Sequence, residues 1–377
     1  MKTVIYRLSL VTIALGVGAL FFTMLVYLGD KGKGPLEDLM TSVNVSVSGL
    51  EKKLMGGKEN RQESLTWLNP YANNTLRLNK PDTVFFGAYD DETVNSFKNI
   101  VALEDSLGFK LPVIQIYTAW GSKRDQDFPL LRVQAIHDLG SIPLVTWEPW
   151  LDDFDPGEFP FVDKENNLNE GGLKAIARGE FDTYIDRWAN EVKEFRHPLF
   201  VRFGHEMNDP YRYPWGPQNN SPKDFIEAWT YLVDRFDSLG VANVSWVWSP
   251  HPAYPYWDYF PEGKVDWIGI TALNYGTVAP WSLWWTFDDI FSKCYNDLSA
   301  YEIPFMITEF GSLPLGGNRA EWYYQALDSL PVKYPLVHSV LFFHTANDNT
   351  TTYKSLDWTI KRDKEVILSI NKALEKW

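Results

Sequence analysis

Two glutamates carry the strongest chemical signal in the sequence. Glu206 closes an apolar, β-rich run, LFVRFGHEMN over 199–208, and Glu309 sits in a second, MITEFG over 306–311, 309 − 206 = 103 residues further on. Alternation of Val201 and Phe203 with Arg202 and Gly204 puts Arg202, Gly204 and Glu206 on one face of the predicted strand. Two carboxylates from separate strands suit acetal hydrolysis, in which a protonated acid serves the leaving oxygen and an ionised carboxylate attacks or stabilises the anomeric carbon. Their surroundings must then differ enough to separate their pKa values. Arg202 is placed to keep Glu309 ionised, Tyr275 to add a hydrogen bond, and His205 to orient Glu206 or bind a sugar hydroxyl. The plain alternative is an ordinary ion pair between Glu206 and a nearby arginine.

These glutamates need a scaffold, and the rhythm of the chain supplies one. Eight short apolar runs appear at 83–90, 111–120, 142–150, 199–208, 244–251, 265–275, 304–312 and 337–345. Helical spacing lies between them at 93–107, 130–139, 181–195, 222–239, 287–301 and 320–330. Eight strands, most followed by a helix, predict an α/β fold of the (β/α)8 barrel type over 81–377. A doubly wound sheet would carry a glycine-rich loop after its first strand, and Phe85-Phe86-Gly87-Ala88-Tyr89 has none.

In such a barrel chemistry gathers at the carboxyl ends of the strands. Those ends hold Tyr89, Asp90 and Asp91, then Trp120, then Trp147, Glu148 and Trp150. His205, Glu206 and Asn208 follow, then Trp248 and His251, Asn274 and Tyr275, Glu309, and His344. Trp281, Trp284 and Trp285 lie in the loop after strand six, where aromatic platforms for a sugar chain would stand. Glu148, Asp90 and Asp91 read as hydroxyl contacts or loop caps, and Trp246, Trp267 and Trp322 as packing residues. No H-E-x-x-H, G-x-S-x-G or phosphate-binding loop occurs, so neither a metal nor a cofactor is expected.

Composition fits this reading. The chain has 377 residues, a formal charge of −14, 17 Trp and 19 Tyr. Such acidity argues against nucleic acid as a partner, and flat aromatic faces with polar edges suit sugar rings. The single cysteine, Cys294, leaves the fold to its core and reads as a packed side chain. At the N-terminus, Lys2 and Arg7 precede 22 uncharged residues, 8–29, enough to span a bilayer. Residues 1–29 are therefore expected to form a cytoplasmic stub and transmembrane signal anchor, with secretion after cleavage as the alternative. Residues 30–80 would form a polar tether, with a short helix at 48–54, holding an extracytoplasmic barrel off the membrane.

Taken in order, the motifs resemble glycoside hydrolase family 26. They are Arg202-x-x-His205-Glu206-Met207-Asn208, Trp215-Gly216, Phe225-x-x-Ala228-Trp229, Val244-Ser245-Trp246-Val247-Trp248-Ser249-Pro250, Val265-Asp266-Trp267-Ile268-Gly269-Ile270 and Ile307-Thr308-Glu309-Phe310-Gly311. The resemblance covers roughly 83–358. It implies a retaining endo-hydrolase of β-1,4-linked polysaccharide, β-mannan or mixed-linkage β-glucan, with Glu206 as acid/base and Glu309 as nucleophile. By the same resemblance His205 and Tyr275 flank the reacting sugar. Apart from that resemblance, Arg202, Trp215, Trp248, Trp281, Trp285, Trp120, Trp147 and His344 complete the expected substrate-binding set from their places around the predicted mouth. The rival readings are a non-catalytic polysaccharide-binding barrel and a processing hydrolase acting on nascent exopolysaccharide. Two departures bear on substrate. Asp209-Pro210-Tyr211-Arg212-Tyr213-Pro214 replaces a shorter, Trp-rich run, and strand eight ends Phe342-Phe343-His344 without a tryptophan.

Overall fold

Each apolar run nucleates a strand that is buried on both faces, as expected of a parallel sheet covered by helices. The strands are β1 (Phe85–Tyr89), β2 (Val113–Ala119), β3 (Ile142–Glu148), β4 (Leu199–Phe203), β5 (Val244–Trp248), β6 (Trp267–Asn274), β7 (Phe305–Ser312) and β8 (Val337–Phe343). In the computed structural model, which describes residues 61–377 apart from 95, 156, 158–167, 351 and 353–354, they close into a barrel in the order β1 to β8. Every pairing is parallel, including β1 with β8.

The covering helices are α1 (Lys98–Leu107), α2 (Leu130–Asp138), α3 (Gly172–Ala177), α4 (Asp182–Phe195), α5 (Pro222–Ser238), α6 (Phe287–Leu298), α7 (Arg319–Lys333) and α8 (Lys364–Leu374). Local signals start them. Ser221 and Thr286 each accept from the amide three residues on, while Asp224 and Asp289 reach back, so α5 and α6 begin with capping boxes. On α4 the buried side Tyr184, Ile185, Trp188, Ala189, Val192 and Phe195 follows helical spacing. Between β5 and β6 only a 3-10 turn, Trp257–Tyr259, takes the place of a helix.

The barrel unit begins earlier than expected. Residues 61–80, expected within the polar tether, fold into short helical turns, Arg61–Ser64, Thr66–Leu68, Asn69–Ala72 and Thr75–Leu78. Leu68, Tyr71, Ala72 and Leu78 join Phe85, Val113, Ile142, Phe200, Val247, Trp267, Met306 and Leu341 in one buried cluster. Most of those partners, Phe85, Val113, Ile142, Phe200, Trp267 and Met306, lie at the amino ends of their strands, so the segment closes the barrel bottom, opposite the mouth. Arg61 fixes it there: Nε and Nη2 bond Glu104 on α1 at 2.6–3.1 Å, and Nη2 also reaches the Leu111 carbonyl and Ser141 Oγ. The anchor at 1–29, the rest of the tether and the helix at 48–54 lie outside the described residues. Among the described residues no helix is long and apolar enough to cross a membrane.

Glu104 is 1% exposed and pairs with Arg61, with Lys110 Nζ 3.9 Å from its Oε2. Arg61→Ala should lower stability by roughly 3–5 kcal/mol, because the buried Glu104 loses its direct hydrogen-bonded partner and keeps only Lys110 at 3.9 Å. Denaturant unfolding measures this, and a loss below about 1 kcal/mol would show the bottom closure to be ornamental.

Candidate active site

Arg202 occupies the centre of the mouth. Carried inward on β4 and fully buried, it donates from Nη2 to Glu309 Oε1 at 2.9 Å and to the Tyr117 hydroxyl at 2.8 Å, and from Nε to Thr146 Oγ1 at 3.0 Å. Tyr117 donates in turn to the same Glu309 oxygen at 2.9 Å. Burial drives the Tyr117 hydroxyl well above its ordinary pKa, so it remains a donor. Burial, with the neighbouring Glu206 charge, leaves the Glu309 carboxyl above its ordinary pKa, against the downward pull of Arg202 and Tyr117. A buried guanidinium does not release its proton, so this group is charge-balanced with Glu309 as a carboxylate.

Glu309 lies within β7 rather than at its end, and a register shift places it there. Ile270 pairs with Ile307 but Thr271 pairs with Glu309, so Thr308 is an extra residue on β7; the β7–β8 ladder is also interrupted between Ile307 and Phe310. Such bulges re-aim side chains at barrel rims.

Glu206 reaches the mouth by another device. β4 ends at Phe203, so strand alternation does not deliver Glu206 as expected. Instead Gly204 has φ +49° and Glu206 itself φ +52°, a left-handed conformation uncommon for a non-glycine residue and costly enough to mark a functional site. The turn is tied down by Gly204 N–H to the Trp147 carbonyl and by Glu206 N–H to the Ser249 carbonyl. Asn208 secures the next segment, donating to the carbonyls of His251 and Tyr254 and accepting from the His251 amide.

Glu206 as a residue is 1% exposed; its Oε2 accepts from Arg212, and Oε1 has no hydrogen-bond partner. Burial alone would raise its pKa, but the Arg212 guanidinium outweighs it and holds the group at about 2. In the substrate-free site the carboxyl expected to be an acid is thus the more firmly ionised of the two. Glu148, at the end of β3, is pushed up to about 7 by burial, against a hydrogen bond from Trp150. His205 is buried and held neutral, its pKa well lowered by burial and Arg202. Its Nε2 lies 3.1 Å from the Tyr213 hydroxyl, and its Nδ1 lies 3.9 Å from Glu148 Oε1.

Glu206, Asp209 and His251 are the group of described residues whose ligand atoms converge closely enough for a cation, all within 4.8 Å. Two of the three already bind the Arg212 guanidinium, so the protein supplies the positive charge itself.

The expected aromatic set divides in two. Trp215 donates to the His205 carbonyl at 2.8 Å and stacks on Tyr213, so it supports the reacting rim. Trp281 and Trp285 are 62% and 47% exposed at the mouth, with Trp281 edge-on to Tyr275 at 6.0 Å. Trp120, Trp147 and Trp248 are corrections: all three are fully buried. Trp120 packs on Trp147, Tyr184 and Phe203, Trp147 stacks on Trp188 and donates to the Tyr184 hydroxyl, and Trp248 donates to the Tyr259 carbonyl. They fill the layer between barrel and helices, out of reach of a sugar. His344 is also fully buried, its Nδ1 2.8 Å from Asp90 Oδ2.

The phenol on Glu309 is Tyr117, whereas Tyr275 was expected there; Tyr275 packs against Trp358 and Trp281. Tyr117 lies within β2 rather than at its end, and alternation with Gln115 and Ala119 places it inward. Arg212 carried one signal, its place in the segment that departs from the family pattern.

No family model matches the chain. Over 288 residues, 73% of its length, it is 30% identical to Endoglucanase H of Acetivibrio thermocellus, of which the match covers 29%. A β-1,3-xylanase from a Vibrio species is 26% identical over 110 residues, 27% of this chain and 22% of that one. The chain therefore spans less than a third of the length of these relatives. Among solved structures, a family 26 β-mannanase from Bacteroides ovatus has a TM-score of 0.55 at 17% identity, covering 84% of this chain and 93% of that chain. A double mutant of the Cellulomonas fimi endo-β-1,4-mannanase has a TM-score of 0.56 at 14% identity, covering 84% and 74%. At such identities the structures speak for a shared fold.

The division of the tryptophans can be measured. Trp120→Ala should cost roughly 3–5 kcal/mol of stability, and Trp281→Ala should stay within about 0.5 kcal/mol. Equal losses in denaturant unfolding would contradict the assignment of one to the core and the other to the rim.

Proposed function

We propose that this chain, which belongs to glycoside hydrolase family 26, cleaves β-linked polysaccharide internally by a double displacement through Glu309 and Glu206. The observation that carries this reading is Arg202 and Tyr117 converging on one Glu309 oxygen, with Glu206 brought to the same mouth on strained backbone. Two donors on Oε1 hold Glu309 as an anion and leave Oε2 for attack on the anomeric carbon. Glu206 would give a proton to the leaving oxygen and then take one from the attacking water. His205, buried and neutral between Tyr213 and Glu148, has an imidazole suited to a sugar hydroxyl, and Trp281 and Trp285 offer faces for further sugar units.

A β-1,4-linked substrate, mannan or mixed-linkage glucan, is the finer proposal. The endoglucanase relative supports glucan, and the mannanase structures agree in fold alone. The Tyr-rich segment 209–213 and the absence of a tryptophan at the end of β8 bear on that choice. The uncharged stretch 8–29 supports an extracytoplasmic, membrane-anchored placement.

Release of reducing ends from a panel of β-mannan, mixed-linkage β-glucan and β-xylan tests the activity. Glu309→Ala should abolish it in protein that still folds, at a stability cost of roughly 3–5 kcal/mol from the stranded Arg202, and persistent turnover would remove Glu309 from the reaction. Glu206→Ala should lose about 10²–10⁴-fold on polysaccharide but much less on an aryl glycoside with an activated leaving group. Equal losses on both substrates would contradict the acid/base role. Proton NMR of the first product should show the anomeric configuration of the substrate, and an inverted product would exclude double displacement. Binding of polysaccharide with no cleavage would favour a non-catalytic barrel.

A further inference from the structure

Arg212 has no part in the mechanism above, yet it makes the most intimate contact with Glu206. It comes from the loop after β4, in the segment that departs from the family pattern. Its Nη2 donates to Glu206 Oε2 and its Nε to Asp209 Oδ2, and its guanidinium lies 5.3 Å from the centre of the Tyr213 ring. The two carboxylates are each 2% exposed and the arginine 20%. Asp209 is itself held, accepting from the Tyr211 amide at 2.8 Å. Arg212 is therefore attached at two points, one of them independent of Glu206.

That double attachment conflicts with one half of the reaction. In glycosylation a Glu309 oxygen bonds to the anomeric carbon, the glycosidic C–O bond breaks, and the leaving oxygen takes a proton from Glu206. In deglycosylation water bonds to the anomeric carbon, the glycosyl ester to Glu309 breaks, and a proton of that water returns to Glu206. Glu206 must be neutral for the first step and ionised for the second. A charge-assisted bond from a guanidinium favours only the ionised form.

Resting on the acid/base reading of Glu206, we propose that Arg212 is a positioning residue that locks Glu206 as a stationary carboxylate in the free protein. It releases Glu206 when a leaving-group sugar enters, and stays attached to Asp209 as it does so. Burial of Glu206 then acts without its counter-charge, and the carboxyl takes up the proton that glycosylation uses. Restored contact after the leaving sugar departs favours the base needed for the second step. The loop thus couples arming of the acid to occupancy of the leaving-group side, which restrains idle hydrolysis of short glycosides.

The charged and titratable groups around Glu206 come from several elements. His205, Asp209 and Tyr213 belong to its own loop and Arg202 to β4, while His251 and Tyr254 follow β5. Tyr275 follows β6, and Glu309 lies on β7. Burial holds His251 below its ordinary pKa, so it is neutral near pH 7 and does not replace Arg212. Arg212 is the cation in direct contact with the carboxylate.

The test compares pH profiles of the full chain, Arg212→Gln and Arg212→Lys on the polysaccharide that the unmodified protein cleaves. The basic limb of kcat/KM follows Glu206 in the free protein, and that of kcat follows it in the substrate complex. In the unmodified protein the kcat/KM limb should lie at lower pH than the kcat limb. Arg212→Gln should move the kcat/KM limb up by roughly 1–3 pH units, the range for removing an opposite charge, and close the gap; Arg212→Lys should keep most of it. A proportional loss at every pH with neither limb moved would make Arg212 a loop brace and overturn the inference, leaving the function intact if Glu309→Ala still abolishes turnover. An unmodified protein that cleaves no polysaccharide would overturn the function and this inference with it.

Discussion

A guanidinium buried at the centre of a barrel mouth has to be neutralised, and much of this site follows from that requirement. Arg202 cannot lose its proton and is shut off from water, so its counter-charge must come from a carboxylate at hydrogen-bond distance. Glu309 supplies it, Tyr117 shares the same oxygen, and Thr146 takes the Nε donor. The bulge at Thr308 is what lets Glu309 reach the arginine from the far side of the barrel. Replacing either charge would leave the other stranded, so the pair is both a structural necessity of the mouth and the source of a held, ionised nucleophile.

Around this pair the barrel separates its tasks by height. The amino ends of the strands are sealed by residues 61–80 and their apolar partners, with Arg61 on Glu104 as the fastening. Next to the mouth, indole and phenol rings fill the space between strands and helices and make that layer stiff. Above it stand the left-handed Gly204 and Glu206 and the exposed aromatics of the Trp281–Trp285 loop. Asn274 fixes that loop by accepting from the amides of Gly276 and Trp285 while donating to Ser312. Mobile function on a rigid base is the usual division in this architecture.

How much of this is legible in the sequence depends on the kind of feature. All eight strands are, because β-rich apolar runs separated by helical spacing have few other interpretations, and six of the eight covering helices follow. α3 and α8 fall outside the predicted helices, and the three- and four-residue turns within 61–80 are too short for any period to show. The tryptophan corrections have a simple cause. Position at the end of a strand gives height in the barrel but not side, and alternation with inward Thr146 and Arg202 sends Trp147 and Phe203 outward. The same alternation would have found Tyr117. The left-handed Glu206 and the bulge at Thr308 depend on tertiary hydrogen bonds that no local pattern encodes, and the grip of Arg212 on Glu206 depends on how a loop folds back.

The central claim is that Glu309 becomes covalently glycosylated. An activated 2-deoxy-2-fluoro glycoside of the cleaved sugar slows the second step more than the first and should accumulate the glycosyl–protein ester. Peptide mapping by mass spectrometry should then find one added 2-fluoroglycosyl group, on Glu309 and absent from Glu309→Ala. A label on Glu148 or Glu206 would contradict the assignment, and turnover of the reagent with inverted product and no labelled protein would contradict the double displacement itself.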